Sequence, residues 1–508
     1  MGRGRGGGHR GDASHGDRSD NLGAVSDPHG ADEPPVTTSD AAGLITHFRG
    51  PFADGPPPEA LEVHPPRLDK FGFAEIRRTV VTSFVLFSTI ARAAVTWLFK
   101  RRGRPFTEAV SVGMVDGFEV LGPTFVKLGQ LIASSPSLFP KPMVDACART
   151  LDEVGPFDPA TVRAMITREL GRPPGQLFKS FDDRPLASAS IAQVHAVELP
   201  DGRQAVIKLQ RPDIADRMNT DLRIQYFLAS KVLGRIKQLK PANIPAIIED
   251  LHQVTNQELN AALEAHRQTR FREAIGQFGD NTGITAPEVY WDYCGPHLIC
   301  MERMSGVPMD EFDVISKMGV DGELILRRGM KVWMEAALVH GPFHGDVHAG
   351  NLWVLDDGRA AYLDFGIMGE LPPDWKQALR DIIYTSMIDQ DYTRVVRAYQ
   401  RVGVMPADID PEVAGPQVAM VVEPLLTQGI GKVSLGETLK SNLELAKQFG
   451  AVTPQELVLV SKQLLYFERY AAVLAPGYVL ARDLFLVKNV FPDDVARIAE
   501  ERGIELPD

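Results

Sequence analysis

The stretch HGDVHAGN, residues 344–351, followed by LDFG, residues 363–366, decides how this chain is read. Phosphoryl transfer needs little covalent help from a protein; it needs metal ions to bridge phosphates and a carboxylate to orient the acceptor. An Asp, an Asn five residues later and a second Asp just past a short strand pair supply that set. Asp346 would accept or orient the acceptor's proton, Asn351 would hold one Mg²⁺, and Asp364 would ligate a Mg²⁺ bridging the phosphates of ATP. An isolated Asp-Phe-Gly is commonly only a strand-end turn, so the weight rests on the two segments together.

Upstream, Lys208 lies in AVIK, inside an apolar strand, where an ammonium group without a partner would be costly. Its carboxylate partner is sought in QELNAALEAHRQTRF, where Glu258 and Glu264 project from different sides of one expected helix. Both stay open, with Glu264 preferred; the plain alternative for either is a solvated helix face. Before Lys208 comes Ala187-Ser188-Ala189-Ser190-Ile191-Ala192, an AxAxxA where a phosphate-wrapping loop would read GxGxxG. Alanine keeps the loop small but resists positive φ, so nucleotide binding would survive in altered form. Further on, Glu302-Arg303-Met304 follows the strand HLIC and is read as the connection between lobes, with Glu302 and Met304 offering backbone groups to an adenine ring.

The surrounding pattern predicts an α+β, two-lobed fold. SFDDRPLASASIAQVHAVELPDGRQAVIKLQRP alternates apolar and polar residues and turns at Pro200-Asp201-Gly202, which predicts a three-stranded antiparallel meander. Helices are expected over about 213–238 and 244–276, and PEVYWDY and HLICMERM would complete a five-strand sheet. After Gly306 the pattern is helical, except for a strand pair in NLWVLDDGRAAYLDFG turning at Asp356-Asp357-Gly358. The expected divisions are a disordered tail over 1–66, a helical extension over 67–175, a sheet-rich lobe over 176–305 and a helical lobe over 306–508. In the tail, His9, His15 and His29 read as solvated residues rather than metal ligands.

Within the extension, TVVTSFVLFSTIARAAVTWLF is flanked by Arg77 and Arg78 and by KRRGR. Arg92 and several Ser and Thr dilute the run, which argues against a spanning helix. Two readings remain for residues 79–99: a helix on an anionic membrane surface, or one packed on the protein's own core. Over 508 residues the composition is 44% apolar and 24% charged, with a formal charge of −12. That composition describes a globular chain, and its sign argues against a general nucleic-acid binder. Three cysteines without CxxC spacing and no secretory pattern fit a cytoplasmic setting, peripheral on the cytoplasmic membrane if the surface helix binds there.

In these motifs the chain resembles the UbiB-type atypical protein-kinase-like family. That family carries a KxGQ motif in an N-terminal extension, an alanine-rich loop, an ExD-like motif, HGDxxxxN and DFG. Here they read Lys127-Leu128-Gly129-Gln130, Ala187 to Ala192, Glu258-Leu259-Asn260, Asp346 to Asn351 and Asp364 to Gly366, in the family's order over about 105–370. Asn260 departs from the usual Asp. The resemblance implies a protein-kinase-like fold whose extension occludes peptide substrates. It also implies ATPase or lipid-linked activity with ATP and Mg²⁺, supporting isoprenoid quinone metabolism at a membrane. Lys127 and Gln130, on one helical turn, can both donate to phosphate oxygens or to the Glu258 carboxylate. Lys127 is therefore grouped with Asp346 and Lys208 as catalytic, although a surface lysine on an amphipathic helix is the plain alternative.

Two other readings compete. A small-molecule phosphotransferase of the aminoglycoside or choline kinase type shares HGDxxxxN-like loops, but not KLGQ or AxAxxA. A nucleotide-sensing scaffold without turnover would not need Lys208, Asp346, Asn351 and Asp364 together.

Overall fold

The computed structural model describes residues 47–100, 105–133, 139–149, 155–231, 244–427 and 455–507. Among the described residues the extension's longer helices are α1 Phe73–Lys100, α2 Phe106–Leu121 and α3 Pro123–Ala133, with the short helix Lys141–Cys147 packed on the last two. α1 and α2 approach so closely that a Cβ on Gly113 would stand 2.8 Å from the Ala93 Cβ, and one on Gly117 2.8 Å from Leu86. Small residues at that spacing are what let two helix backbones meet. The α1 face turned away from α2 carries Ile76, Val80, Phe84, Phe87, Val95 and Leu98, all exposed and all on one side of a 3.6-residue helix. Only 11% of the most apolar 18-residue window of α1 is buried, so one face packs on α2 while the apolar stripe opposite it stays exposed.

One basic flank of α1 also turns inward. Arg78 donates to both carboxylate oxygens of Asp221, at 2.7 and 2.9 Å, and to the Leu121 carbonyl at 2.8 Å. Arg77 stays exposed, Arg92 lies 3.6 Å from Asp116, and residues 101–104 of the other flank lie outside the described residues. Asp221 belongs to a helix of the next lobe, and its burial explains why Arg78 is drawn in rather than left for lipid headgroups.

After helix α4, Pro159–Leu170, the sheet lobe is built from β1 Ser180–Phe181, β2 Ala187–Ser188, β3 Ala192–Glu198 and β4 Gln204–Gln210. Helices α5 Ile214–Lys231, α6 Ile244–Glu258 and α7 Ala261–Gly276 follow, then β5 Ile284–Thr285 and β6 Leu298–Glu302. The five-stranded sheet runs β1-β3-β4-β6 with β2 also on β3, antiparallel throughout. The expected strand PEVYWDY is absent. Trp291–Tyr293 is a 3₁₀ turn and Val289 makes one isolated bridge to Met301, so the fifth strand is β2 instead. The single helix expected over 244–276 breaks at Asn260, whose side chain caps α7 by accepting from Leu263 N–H at 2.9 Å. Residues 232–238 of the other expected helix lie outside the described residues.

The tail boundary shifts too. Phe48 and Phe52 are buried in the sheet lobe's core, and Gly50 N–H donates to the Asp292 carbonyl at 2.9 Å. Burying two Phe side chains gains about 1.5–3 kcal/mol each, enough to hold residues 47–66 where a disordered tail was expected. The three tail histidines lie outside the described residues. Val162 and Ile166 of α4 are wholly buried in the same core, so by packing this lobe starts before residue 176.

The helical lobe opens with β7 Gly306–Pro308 and α8 Gly322–Glu335. Next come β8 Phe343–His344, β9 Leu352–Leu355, β10 Ala360–Tyr362 and β11 Met368–Gly369. Helices α9 Pro373–Tyr384, α10 Tyr392–Arg401, α11 Pro411–Thr427, α12 Gln455–Leu474 and α13 Pro492–Arg502 complete it. The β9–β10 hairpin turns at Gly358, φ +85°, and is the centre of a four-stranded sheet with β5 and β7 at its edges. Strands of two or three residues carry no readable alternation, and the hairpin is legible in sequence because Asp356-Asp357-Gly358 marks its turn. Phe271 of α7 joins the helical lobe's core, so α7 packs on both lobes.

Candidate functional site

β4 places Lys208 in the middle of the sheet, opposite Val194 on β3 and Ile299 on β6. Its ammonium group donates to Glu264 Oε1 at 2.6 Å and to Asp364 Oδ2 at 3.0 Å. Glu258 is not its partner. Because the chain breaks between α6 and α7, Glu258 ends α6 and ion-pairs instead with Lys127 of the KLGQ turn. Gln130 lies one turn further along α3.

One lysine thus serves two carboxylates. Burial pushes Glu264 up to about 7 against the pull of Lys208, with Asp364 adding repulsion. Burial also acts upward on Asp364, but the charge and hydrogen bond of Lys208 outweigh it and hold that carboxyl down at about 2. Burial disfavours the Lys208 ammonium, yet Asp364 and Glu264 together raise its pKa above the usual lysine value. A carboxyl whose folded-state pKa is raised contributes stability that is present below its unfolded pKa and lost as pH rises through the folded one. Chemical denaturation of the ligand-free protein should therefore show Glu264 eroding stability between about pH 4.5 and about pH 7. Glu264→Gln should flatten that decline; an unchanged profile would remove the charge competition from the account.

On the facing lobe the backbone of the HGD loop is tightly specified. A Cβ on Gly345 would stand 2.9 Å from Ile367 Cγ2, so only glycine fits there. His344 is wholly buried and close to the Leu363 carbonyl, 2.9 Å from Nε2, while the Asp346 N–H lies 3.2 Å from Nδ1. A neutral ring donating from Nε2 and accepting at Nδ1 satisfies both, and burial lowers its pKa accordingly. Asn351 Nδ2 donates to the Asp346 carbonyl at 3.0 Å, leaving Oδ1 as the atom with which it could ligate a cation. Asp364 has φ +56°, a left-handed conformation that Asp and Asn tolerate better than other side chains, and accepts from Gly366 N–H at 3.2 Å. Phe365 packs on Phe271 with ring centroids 5.3 Å apart, tying this turn to α7.

The alanine loop is closed without any positive-φ residue among 187–192. Ala189 N–H donates to the Ala192 carbonyl at 2.9 Å. Arg211 then pins the loop, donating to the Ala189 carbonyl at 2.9 Å and to Ser188 Oγ at 2.8 Å. Ala187 and Ala189 are exposed, whereas Ser190 and Ala192 are buried. Of the two residues assigned to an adenine ring, Glu302 has its N–H committed to the Glu288 carbonyl at 2.8 Å, and its side chain lies 3.3 Å from Arg272. That amide is spent inside the sheet lobe and is not available to a base. Met304 lies in the coil joining β6 to β7.

Residues 149–399 match the family model described as the ABC1 atypical kinase-like domain, and residues 418–478 match the UbiB helical domain. A probable protein kinase UbiB from Xylella fastidiosa is 31% identical over 412 residues, covering 77% of this chain and 73% of that protein. The chain belongs to the UbiB-type atypical kinase-like family. An uncharacterized protein of Mycobacterium tuberculosis, Rv0647c, is 34% identical over 400 residues, 78% of this chain and 81% of its own length. Among solved structures, that of Rv3197 with erythromycin, also from Mycobacterium tuberculosis, matches at 23% identity and a TM-score of 0.44. It covers 71% of this chain and 94% of that one.

UbiB-type membership carries a nucleotide and a metal as expectations, and the donor set can be tested against them. Among the described residues no three His, Cys, Asp or Glu side chains gather into a metal cage. Asp364 and Asn351 offer two hard oxygens, which suits Mg²⁺, an ion that takes one or two protein ligands and completes its shell with phosphates and water. Asn260, the last residue of the ExD-like segment, caps α7 and donates to the Ala60 carbonyl at 2.8 Å, a structural part. Several residues of this UbiB-type site were not singled out from sequence. Arg267 donates to the Gly366 carbonyl at 2.9 Å. From α12, Lys462 donates to Asp346 Oδ1 at 2.8 Å, and Gln463 bonds the backbone on both sides of Asp346. Lys462 and Gln463 are single polar residues far along the chain from Asp346, so no local motif marks them in the sequence.

Proposed function

We propose that this chain is a Mg²⁺-dependent ATP-binding enzyme. It hydrolyses ATP or passes the phosphoryl group to a small acceptor, working from the cytoplasmic face of a membrane in support of isoprenoid quinone or other lipid metabolism. The observation that carries this is Lys208 of the sheet lobe bonded to both Glu264 and Asp364, with Asn351 held on the Asp346 loop. Asp364 and Asn351 would hold Mg²⁺, which would supply positive charge to offset that of the phosphates. Lys208 would then hold phosphate while Glu264 keeps it in place, and Asp346 would orient the attacking oxygen. A peptide acceptor is disfavoured by the extension: Lys127 of α3 reaches Glu258, whose Cγ would lie 3.6 Å from a Cβ on Gly366. Turnover is favoured over a silent nucleotide sensor because Lys208, Glu264 and Asp364 are bonded together and Asp346 is present as well, held by Lys462.

The membrane part of the reading rests on the outward stripe of α1, a contiguous exposed apolar face of the kind that marks a lipid or protein contact. Full-length protein should co-sediment with vesicles containing anionic lipid, and those vesicles should raise its Mg²⁺-ATP hydrolysis. Phe84→Ser with Phe87→Ser, both fully outside the core, should lose both effects. Hydrolysis that is absent with and without vesicles would count against an enzyme; vesicle stimulation that survives the double substitution would move the lipid contact elsewhere.

A further inference from the structure

α12 is packed against the HGD loop in a way that leaves little freedom to either. Gln463, wholly buried, accepts from Val347 N–H at 2.8 Å and donates to the Gly345 carbonyl at 2.7 Å. Two helical turns later, buried Tyr470 donates to the Val347 carbonyl at 2.9 Å. The backbone on both sides of Asp346 is therefore bonded to this one helix. The residue next to Gln463 is Lys462. Its ammonium group lies 2.8 Å from Asp346 Oδ1 and 5.8 Å from the Tyr466 ring centre, a second feature that fixes its direction. The other carboxylate oxygen, Oδ2, lies 3.6 Å from His348 Nε2.

We propose that Lys462 is a positioning residue for Asp346: it holds Oδ1, so that Oδ2 is the oxygen presented to the attacking group. The C-terminal helical segment thereby completes the phosphoryl-transfer site. This deepens the function proposed above and rests on Asp346 orienting the attacking oxygen. A carboxylate that must receive a proton from a defined direction gains from a fixed rotamer, because misplacement of a positioned group by even an ångström is costly in rate. A methionine of similar length would keep the packing of α12 and remove only the ammonium group. An arginine would restore a donor to Oδ1.

The test uses the full-length protein with vesicles containing anionic lipid, comparing wild type, Lys462→Met, Lys462→Arg and Asp346→Asn. Steady-state Mg²⁺-ATP hydrolysis supplies kcat and KM, and Mg²⁺-ADP titration supplies an affinity independent of turnover. Lys462→Met should lower kcat about tenfold while KM and the ADP affinity stay within about twofold, and Lys462→Arg should recover most of the loss. If Lys462→Met leaves kcat at the wild-type value while Asp346→Asn abolishes turnover, the positioning role is wrong and the proposed function stands. A loss confined to ADP affinity overturns it as well, because Lys462 would then serve nucleotide binding. Wild-type turnover in Asp346→Asn would remove the underlying assignment of Asp346, and the proposal with it.

Discussion

Asp364→Asn is expected to weaken Mg²⁺-dependent nucleotide binding tenfold or more, on the order of 1.4 kcal/mol, while leaving the fold intact. The loss follows from chemistry: a hard divalent cation prefers a charged carboxylate oxygen, and the amide offers a weaker one. The intact fold follows from local structure. Position 364 has φ +56°, where Asn is as well tolerated as Asp, and an amide oxygen can still accept from Gly366 N–H. Lys208 also retains Glu264 at 2.6 Å, so the ammonium group is not stranded. Titration of a fluorescent ADP analogue with excess Mg²⁺ and again with chelator separates the metal-dependent part. An Asp364→Asn protein that is folded and shows the wild-type difference between the two conditions would remove Asp364 from the metal site.

Arg78→Met should be the most destabilising single change in the extension. Asp221 is wholly buried and receives two hydrogen bonds from Arg78, with Thr124 adding a longer one at 3.3 Å. Removing the guanidinium leaves a buried carboxylate short of its charge partner, which typically costs about 3–5 kcal/mol. Arg217 tempers this, since it donates to the same Leu121 carbonyl and its charge acts on Asp221, so about 3 kcal/mol is the expected loss. Urea unfolding of Arg78→Met against wild type gives the number. Combining it with Asp221→Leu should recover most of it, because an apolar pair in that space carries no buried charge. A single variant as stable as the wild type would mean that the extension is held elsewhere.

The site was legible where its parts sit close together in the chain. HGDVHAGN and LDFG place Asp346, Asn351 and Asp364 within one hairpin's reach, and AVIK places Lys208 in a strand, because short segments with fixed backbone geometry carry their chemistry in consecutive letters. The same holds for the alanine loop, whose lack of positive φ follows from residue type alone. Between Glu258 and Glu264 the sequence favoured Glu264, the partner found, without deciding it. The decision depended on a break at Asn260 that periodicity does not register, and that break sends one glutamate to Lys208 and the other to Lys127.

Arg78 shows the converse error: beside an apolar helix it read as a basic flank for lipid headgroups, yet buried Asp221, 143 residues away, claims it. Exposure of the α1 stripe was likewise undecidable from hydropathy, since an apolar helix face reads the same whether it meets lipid or core. By itself the sequence determined the kinase-like order of motifs and the two-lobed class, and it named the candidate phosphoryl-transfer residues that the proposed function rests on. Only the tertiary structure decided which charge meets which, from Lys208 with Glu264 to Lys462 with Asp346 across 116 residues. The physical reason is that a single long-range ion pair is selected by burial and by which groups the fold brings within about 3 Å, and it leaves no periodic trace along the chain.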